Sequence, residues 1–327
     1  VDRLVLLGDV LELRQAPVRE VLAAGEAPLR ELGAALAPGA QVVIVPGNHD
    51  HLLLAAWMQR RARRGAPAPL GLQSAVDWRA AEPLARLARW FEPAQLEVAY
   101  PGTWLRDDVY AIHGHYGDRH TTVPMLERLA AGVMARIAGQ VPGGPDTAEA
   151  YEAILGPIYA WVDAVAQSGG RRLGRGSQGA SAHAWRVLSG SGRRRGWRRR
   201  AAALAFPGLI AGLNRAGLGP LKADLSTPGL RSAGLRAADE SLLSLGVVAR
   251  HVIFGHTHRA GPLPGDDRGE WRTLGGAHLV NSGCWVHEPG FLGPEPDRSP
   301  YRAGFCVALD GHGPPVLTNL LDGLGVR

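Results

Sequence analysis

The chain has little cysteine, almost no lysine and no long apolar run. Two cysteines, Cys284 and Cys306, are too few for a disulfide scaffold and are not spaced as a zinc knuckle, so their expected role is packing in a reducing compartment. No stretch reaches the roughly 18–20 apolar residues that a membrane span needs. The nearest, 201–213, has 13 residues and contains Pro207. The opening VDRLVLLGDV carries Asp2 and runs directly into a polar motif, unlike a secretory leader. These absences lead to the expectation of a cytoplasmic protein. Lys222 is the only lysine among 36 basic residues, which with 44 glycines and abundant alanine reads as GC-rich codon usage and carries no functional weight. Acidic residues are missing altogether from 164–223, where 12 of the cations lie. Outside that stretch 24 cations face 30 acids, so the pI near 9.9 belongs to one segment and not to the whole molecule.

What is present is the composition of a folded protein. With 327 residues, 46% hydrophobic and 20% charged, the chain can bury a core, and both wholesale disorder and a coiled coil are excluded. Residues 2–7 and 41–45 are short apolar runs ending at Gly8-Asp9 and Pro46-Gly47-Asn48, and they read as buried strands. Between them 18–36 has helical spacing until Pro38-Gly39 stops it, giving α/β alternation. Residues 84–91 read as a helix, and 96–100 and 108–112 as strands on either side of a turn at Pro101-Gly102. From 121 to about 246 the pattern turns helical, at 125–138 and 148–165, with PGGP at 142–145 and a Gly/Ser/Arg-rich stretch, 168–192, expected as a mobile loop. Strand patterns return at 251–254, 277–280, 304–309 and 315–320, the last three expected as antiparallel strands. The expected organisation is a core in two parts, 1–120 and 247–327, interrupted by a helical insert, 121–246.

Four polar clusters directly follow expected strands: Gly8-Asp9-Val-Leu-Glu12, Gly47-Asn48-His49-Asp50, His113-Gly114-His115 and Gly255-His256-Thr257-His258. Loops at the carboxyl ends of strands converge over a rigid scaffold, and Asp, Asn and His donors suit manganese, iron or zinc. Taken singly, Asp9 reads as a cap and Asn48 as a turn residue. Paired histidines after apolar strands answer to no turn preference, and their coincidence with the other two clusters points to metal binding.

In order and spacing these clusters resemble the calcineurin-like metallophosphoesterases, whose signatures are Asp-x-His, GD-x-x-D/E, GNH-D/E, a His before Gly, and GH-x-H. GDxxE, the x-His-Gly-x form and a helical insertion before GHTH are similar to the branch containing UDP-diacylglucosamine hydrolases. The resemblance implies a four-layer α/β/β/α sandwich and two divalent metal ions (Mn, Fe or Zn). Asp9 would bridge them; Asn48, His113 and His256 would complete the second site, and His258 would serve the first. It implies hydrolysis of a phosphate ester or pyrophosphate, with metal-activated hydroxide attacking phosphorus. His49 would assist the leaving group and Glu12 would fix its tautomer, while Asp50 is expected either to brace the ligands from behind or to be structural. His115 stands where that branch tends to carry Asp, and it either meets substrate or packs. Arg119 and Arg259 flank ligand loops, either as donors to substrate phosphate or as solvated rim charges.

The first signature, Asp-x-His, is missing. Asp118-Arg-His120 and Asp310-Gly-His312 lie in the wrong places and are expected to be local turn chemistry, the second in a hairpin. The expectation is therefore a chain lacking a first strand, an incomplete first metal site, a second site that fills first, and poor activity. Other classes remain: a phosphoesterase-fold binding protein that lost catalysis, or a nuclease using the basic insert. The expected substrate is a phosphorylated small molecule or a lipid-linked one. RRRGWRRR at 193–200 precedes the apolar 201–213, so peripheral contact with an anionic membrane is a further expectation, and nucleic acid ranks last.

Overall fold

In the computed structural model, which describes residues 1–65, 67–121, 146–167, 208, 211–215 and 226–324, the first two expected strands form as β1 (Arg3–Leu6) and β2 (Gln41–Ile44). They pair in parallel, with Val5 opposite Val43. Helix α1 (Val18–Ala34) joins them, and its Val18, Val21, Leu22, Leu29 and Leu32 recur at helical spacing on the face turned to the core. Helices α2 (Ala55–Arg63) and α3 (Pro83–Phe91) add Trp57, Leu84, Leu87, Trp90 and Phe91 to the same cluster.

Two strand expectations need correcting. Pro101-Gly102 is not a turn: β4 runs unbroken from Gln95 to Arg106 and changes partner along its length. Residues 95–98 lie parallel to β2, 99–101 antiparallel to β3 (Gln73–Ala75), and 102–106 antiparallel to β5 (Val109–Ile112). Gly102 is there for close approach, since a Cβ would sit 2.3 Å from Tyr110 Oη. The hairpin turn falls instead at Asp107-Asp108. Likewise β7 (His278–Asn281) is not antiparallel to its neighbour. It lies parallel to β6 (His251–Phe254), and the long connection from 255 to 277 makes the crossover that parallel pairing requires. The sheet among the described residues is therefore mixed, in the order β1-β2-β4-β5-β6-β7 with β3 on β4. Strands β8 (Phe305–Ala308) and β9 (Val316–Asn319) form a separate antiparallel pair, as expected.

Alternation sorts each strand onto two faces. Val42, Ile44 and Val98 turn to the helices, whereas Val43, Val45 and Ala99 turn the other way. Tyr110, Val252, Phe254 and Leu279 meet α5 (Thr227–Ser244) through Leu235, Ala238 and Leu242, while Val109, Ala111, Ile253 and Val280 pack with Val307 and Leu317 of the hairpin. Leu7 touches both inner clusters, so the sheet curls and brings its inner faces together.

Helix α4 (Ala148–Gln167), expected at 148–165, carries Tyr151, Leu155 and Tyr159 as one stripe into the first core cluster. Burial of each such side chain contributes roughly 1.5–3 kcal/mol, against about 0–1 kcal/mol for a partly exposed pair such as Arg61–Glu149 at 3.3 Å. Packing therefore decides where α4 sits. The expected helix 125–138, the loop 168–192 and the basic run 193–200 lie outside the described residues, as does 201–213 except for 208 and 211–213. Among the described residues no helix is long and apolar enough to cross a membrane.

Candidate metal centre

In a flat sheet the carboxyl ends of β1 and β2 would lie at the opposite edge from those of β5 and β6, because β5 runs antiparallel to β4. The curl removes that separation. His113 Nδ1 bonds Leu7 O at 2.9 Å, Gly255 N donates to His113 O at 3.0 Å, and His49 N donates to Asp9 Oδ1 at 2.9 Å. Loops from both halves of the sheet thus meet at one point. Asp9, His256 and His258 all adopt left-handed backbone, with φ of 54°, 63° and 59°. Such residues persist only where the surroundings hold them, and they collect at functional sites.

Potential ligand atoms of Asp9, His113 and His256 lie within 4.8 Å of one another. Because Nδ1–H of His113 is given to Leu7, Nε2 keeps a lone pair, and it faces Asp9 Oδ2 at 3.1 Å. Two acceptors at that distance repel unless a proton or a cation lies between them. Burial disfavours an imidazolium, yet Asp9 and the Leu7 carbonyl outweigh it and push His113 up to about 9. Burial likewise opposes ionised Asp9, but His113, His49 and His256 hold it well below the usual carboxylate range. Asn48 is 2% exposed, and its Oδ1 has no hydrogen-bond partner among the described residues. An ionised carboxylate, an imidazole nitrogen facing it and an orphaned amide oxygen together fit a divalent ion, which would take the place of the proton.

His49 Nδ1 lies 2.6 Å from Glu12 Oε2. Burial lowers the His49 pKa, but the Glu12 bond and the charges of Asp9 and Glu12 raise it above its ordinary value. Asp50 is fully buried and ties the loops together, accepting from Gly47 N at 2.6 Å and Val10 N at 2.9 Å. Burial and the neighbouring Asp9 carboxylate push it up to about 6. His258 is half-buried and lies outside the three-residue cluster; burial takes it down to about 4, a neutral imidazole. Asn281 braces its loop, donating to Gly255 O at 3.0 Å and Thr257 Oγ1 at 2.9 Å.

His115 is 1% exposed, with Nε2 3.1 Å from the Tyr100 hydroxyl, and burial drives its pKa well down. Arg119 is half-buried on the 3-10 turn His115–Arg119. Arg259 is no solvated rim charge. It is 8% exposed, stacks on Trp271 and forks onto Asp266 at 2.6 and 3.0 Å. Asp310 does accept from the backbone of His312 and Gly313, as expected of a hairpin turn.

Asp118 corrects the sequence reading, because it caps no turn. It is 3% exposed, with Oδ1 2.7 Å from His256 Nε2. Its partner lies 138 residues away, so no local spacing signals the pair. A buried network was also missed: Glu152 on α4 bonds His51 at 2.9 Å and Tyr116 at 3.0 Å, and accepts from Tyr100. Nothing local marks Glu152 as their partner.

The chain thus defines an α/β protein with a candidate metal centre where its strands converge. Compared with family models, curated proteins and solved structures, it matches none.

Gly47 supplies a direct check on the site. A Cβ there would lie 2.3 Å from Asp9 Oδ1 and 2.7 Å from His113 Nε2, so Gly47→Ala must displace one of these candidate ligands. Calorimetric titration with Mn²⁺ is expected to show affinity lowered about tenfold or more; unchanged affinity would place the ion elsewhere.

Proposed function

We infer that the chain is a metal-dependent phosphoesterase that hydrolyses a phosphate ester or pyrophosphate, built on the four-layer α/β/β/α arrangement its motifs resemble. The observation that carries this reading is the convergence of Asp9, His113 and His256 within 4.8 Å, from strand ends far apart in sequence. These three, with Asn48 alongside, would hold one divalent ion of the manganese, iron or zinc type. His258 with Asp9 would hold a second, more weakly. Such an ion polarises a phosphoryl oxygen and lowers the pKa of water.

The protein's own groups supply orientation and protons. Glu12 accepts from His49 Nδ1 and fixes the ring, while the raised pKa keeps more of the imidazole protonated at neutral pH. Nε2–H of that imidazolium can protonate a departing oxygen. Asp50 holds the Asp9 and Asn48 loops in register through the Val10 and Gly47 amides, so the donors are set before substrate arrives.

Hydrolysis of bis(p-nitrophenyl) phosphate with added Mn²⁺ tests the reading. Activity should require the metal, and His49→Ala should lower it about 10²–10³-fold while Mn²⁺ binding is retained. Turnover that survives a chelator, or none with Mn²⁺, Co²⁺ or Zn²⁺, would overturn it.

A further inference from the structure

We propose that Asp118 is a positioning residue for the metal centre, a buried carboxylate that fixes the tautomer and ring orientation of His256 and leaves Nδ1 of that ring as the metal-facing nitrogen. The proposal rests on the metal-site reading above. Asp118 comes from the 3-10 turn His115–Arg119, which packs against α5, with a Cβ at Gly117 meeting Ala237 at 3.4 Å. Its side chain is sealed from solvent: Oδ1 lies 2.7 Å from His256 Nε2, and Oδ2 is buried without a hydrogen-bond partner among the described residues.

A carboxylate accepts, so the nitrogen facing it carries the proton, and a neutral imidazole protonated at Nε2 has its lone pair on Nδ1. His113 is held the opposite way, with Nδ1–H on Leu7 O, so that Nε2 is the nitrogen left for a cation. The two rings stand edge to face with centroids 5.3 Å apart. His113 thus presents Nε2 to Asp9, and with Nε2 of His256 held by Asp118 the nitrogen left for the ion is Nδ1. The His256 backbone is fixed independently, at φ 63° in a loop that Asn281 braces. Asp118 thus governs the ring and not the loop. A carboxylate behind a ligand imidazole also makes the free nitrogen a stronger donor.

Two measurements test this: calorimetric titration of Mn²⁺ into the wild-type chain and its Asp118 variants, and long-range ¹H–¹⁵N spectra of the histidine rings in the metal-free proteins. Asp118→Ala should weaken Mn²⁺ binding about 10–100-fold and turn the Nε2–H form of His256 into a mixture of tautomers, with His113 unaltered. Asp118→Asn, which keeps the shape and an acceptor oxygen, should retain the tautomer and lose about three- to tenfold in affinity. Wild-type affinity in Asp118→Ala with Nε2–H kept would overturn the proposal while leaving the metal site standing. If the wild-type chain itself takes up no Mn²⁺, the metal reading fails and the proposal falls with it. Should the alanine variant not fold, unchanged Mn²⁺ affinity in Asp118→Asn overturns the proposal.

Discussion

Asp9→Asn is expected to lower Mn²⁺ affinity at least about 100-fold, equivalent to roughly 2.7 kcal/mol of binding free energy. Asparagine is the right replacement because position 9 sits at φ 54°, where an amide side chain is tolerated and alanine adds strain. It also keeps an oxygen for the His49 amide, which donates to Asp9 Oδ1 at 2.9 Å. What it removes is the carboxylate of the three-residue cluster, leaving two imidazoles, His113 and His256, without the charge that attracts a cation. The hydrolysis proposed above should disappear with the affinity. Asp310→Asn is the control, since Asp310 caps its own hairpin turn. Calorimetry with Mn²⁺ checks both; affinity within threefold of wild type in Asp9→Asn would show that the cluster does not hold the ion.

Glu152→Ala is expected to destabilise the fold by about 3–5 kcal/mol, the usual cost of removing one partner from a buried charged pair. Its carboxylate is 13% exposed, bonds His51 at 2.9 Å, and accepts from two tyrosine hydroxyls, Tyr100 and Tyr116. Deleting it removes the acceptor from all three, leaving the tyrosine hydroxyls, among the described residues, with only each other and His115. The loss should depend on pH in a definite direction. Burial raises the Glu152 pKa, but His51 and the tyrosine hydroxyls outweigh it and leave it below 4.5, so its contribution is present above that value and lost as pH falls through the lowered one. Burial opposes charge on His51, but Glu152 raises it above 6.5, so that contribution is complete below 6.5 and fades as pH rises through the raised value. The gap in Tm between wild type and Glu152→Ala should therefore be widest between about pH 4.5 and 6.5 and narrow on either side. Thermal melts across pH 3.5–9 provide the measurement; a gap independent of pH would mean that the ion pair contributes nothing.

Much of the site could be read before the fold was known, and for a physical reason. Short apolar runs broken by Gly-Asp, Gly-Asn-His or Gly-His mark where buried strands surface, so Asp9, Asn48, His113 and His256 announced their own positions. The same local logic failed at Pro101-Gly102, where two turn-forming residues lie inside a strand because Tyr110 needs the space above Gly102. It failed again for β7, whose direction is set by a crossover and not by its own residues. Asp118 reads locally as turn chemistry and Glu152 as an ordinary helix residue, because their partners, His256 and His51, are 138 and 101 residues away. A solitary acid in a loop or on a helix carries no mark of the imidazole it will meet.

Strand β4 begins in parallel register with one half of the sheet and ends in antiparallel register with the other. Asp9 belongs to the first half, and His113 and His256 to the second. An ion gripped by all three would act as a rivet across the seam, so that its capture and the closure of the two halves are a single thermodynamic event.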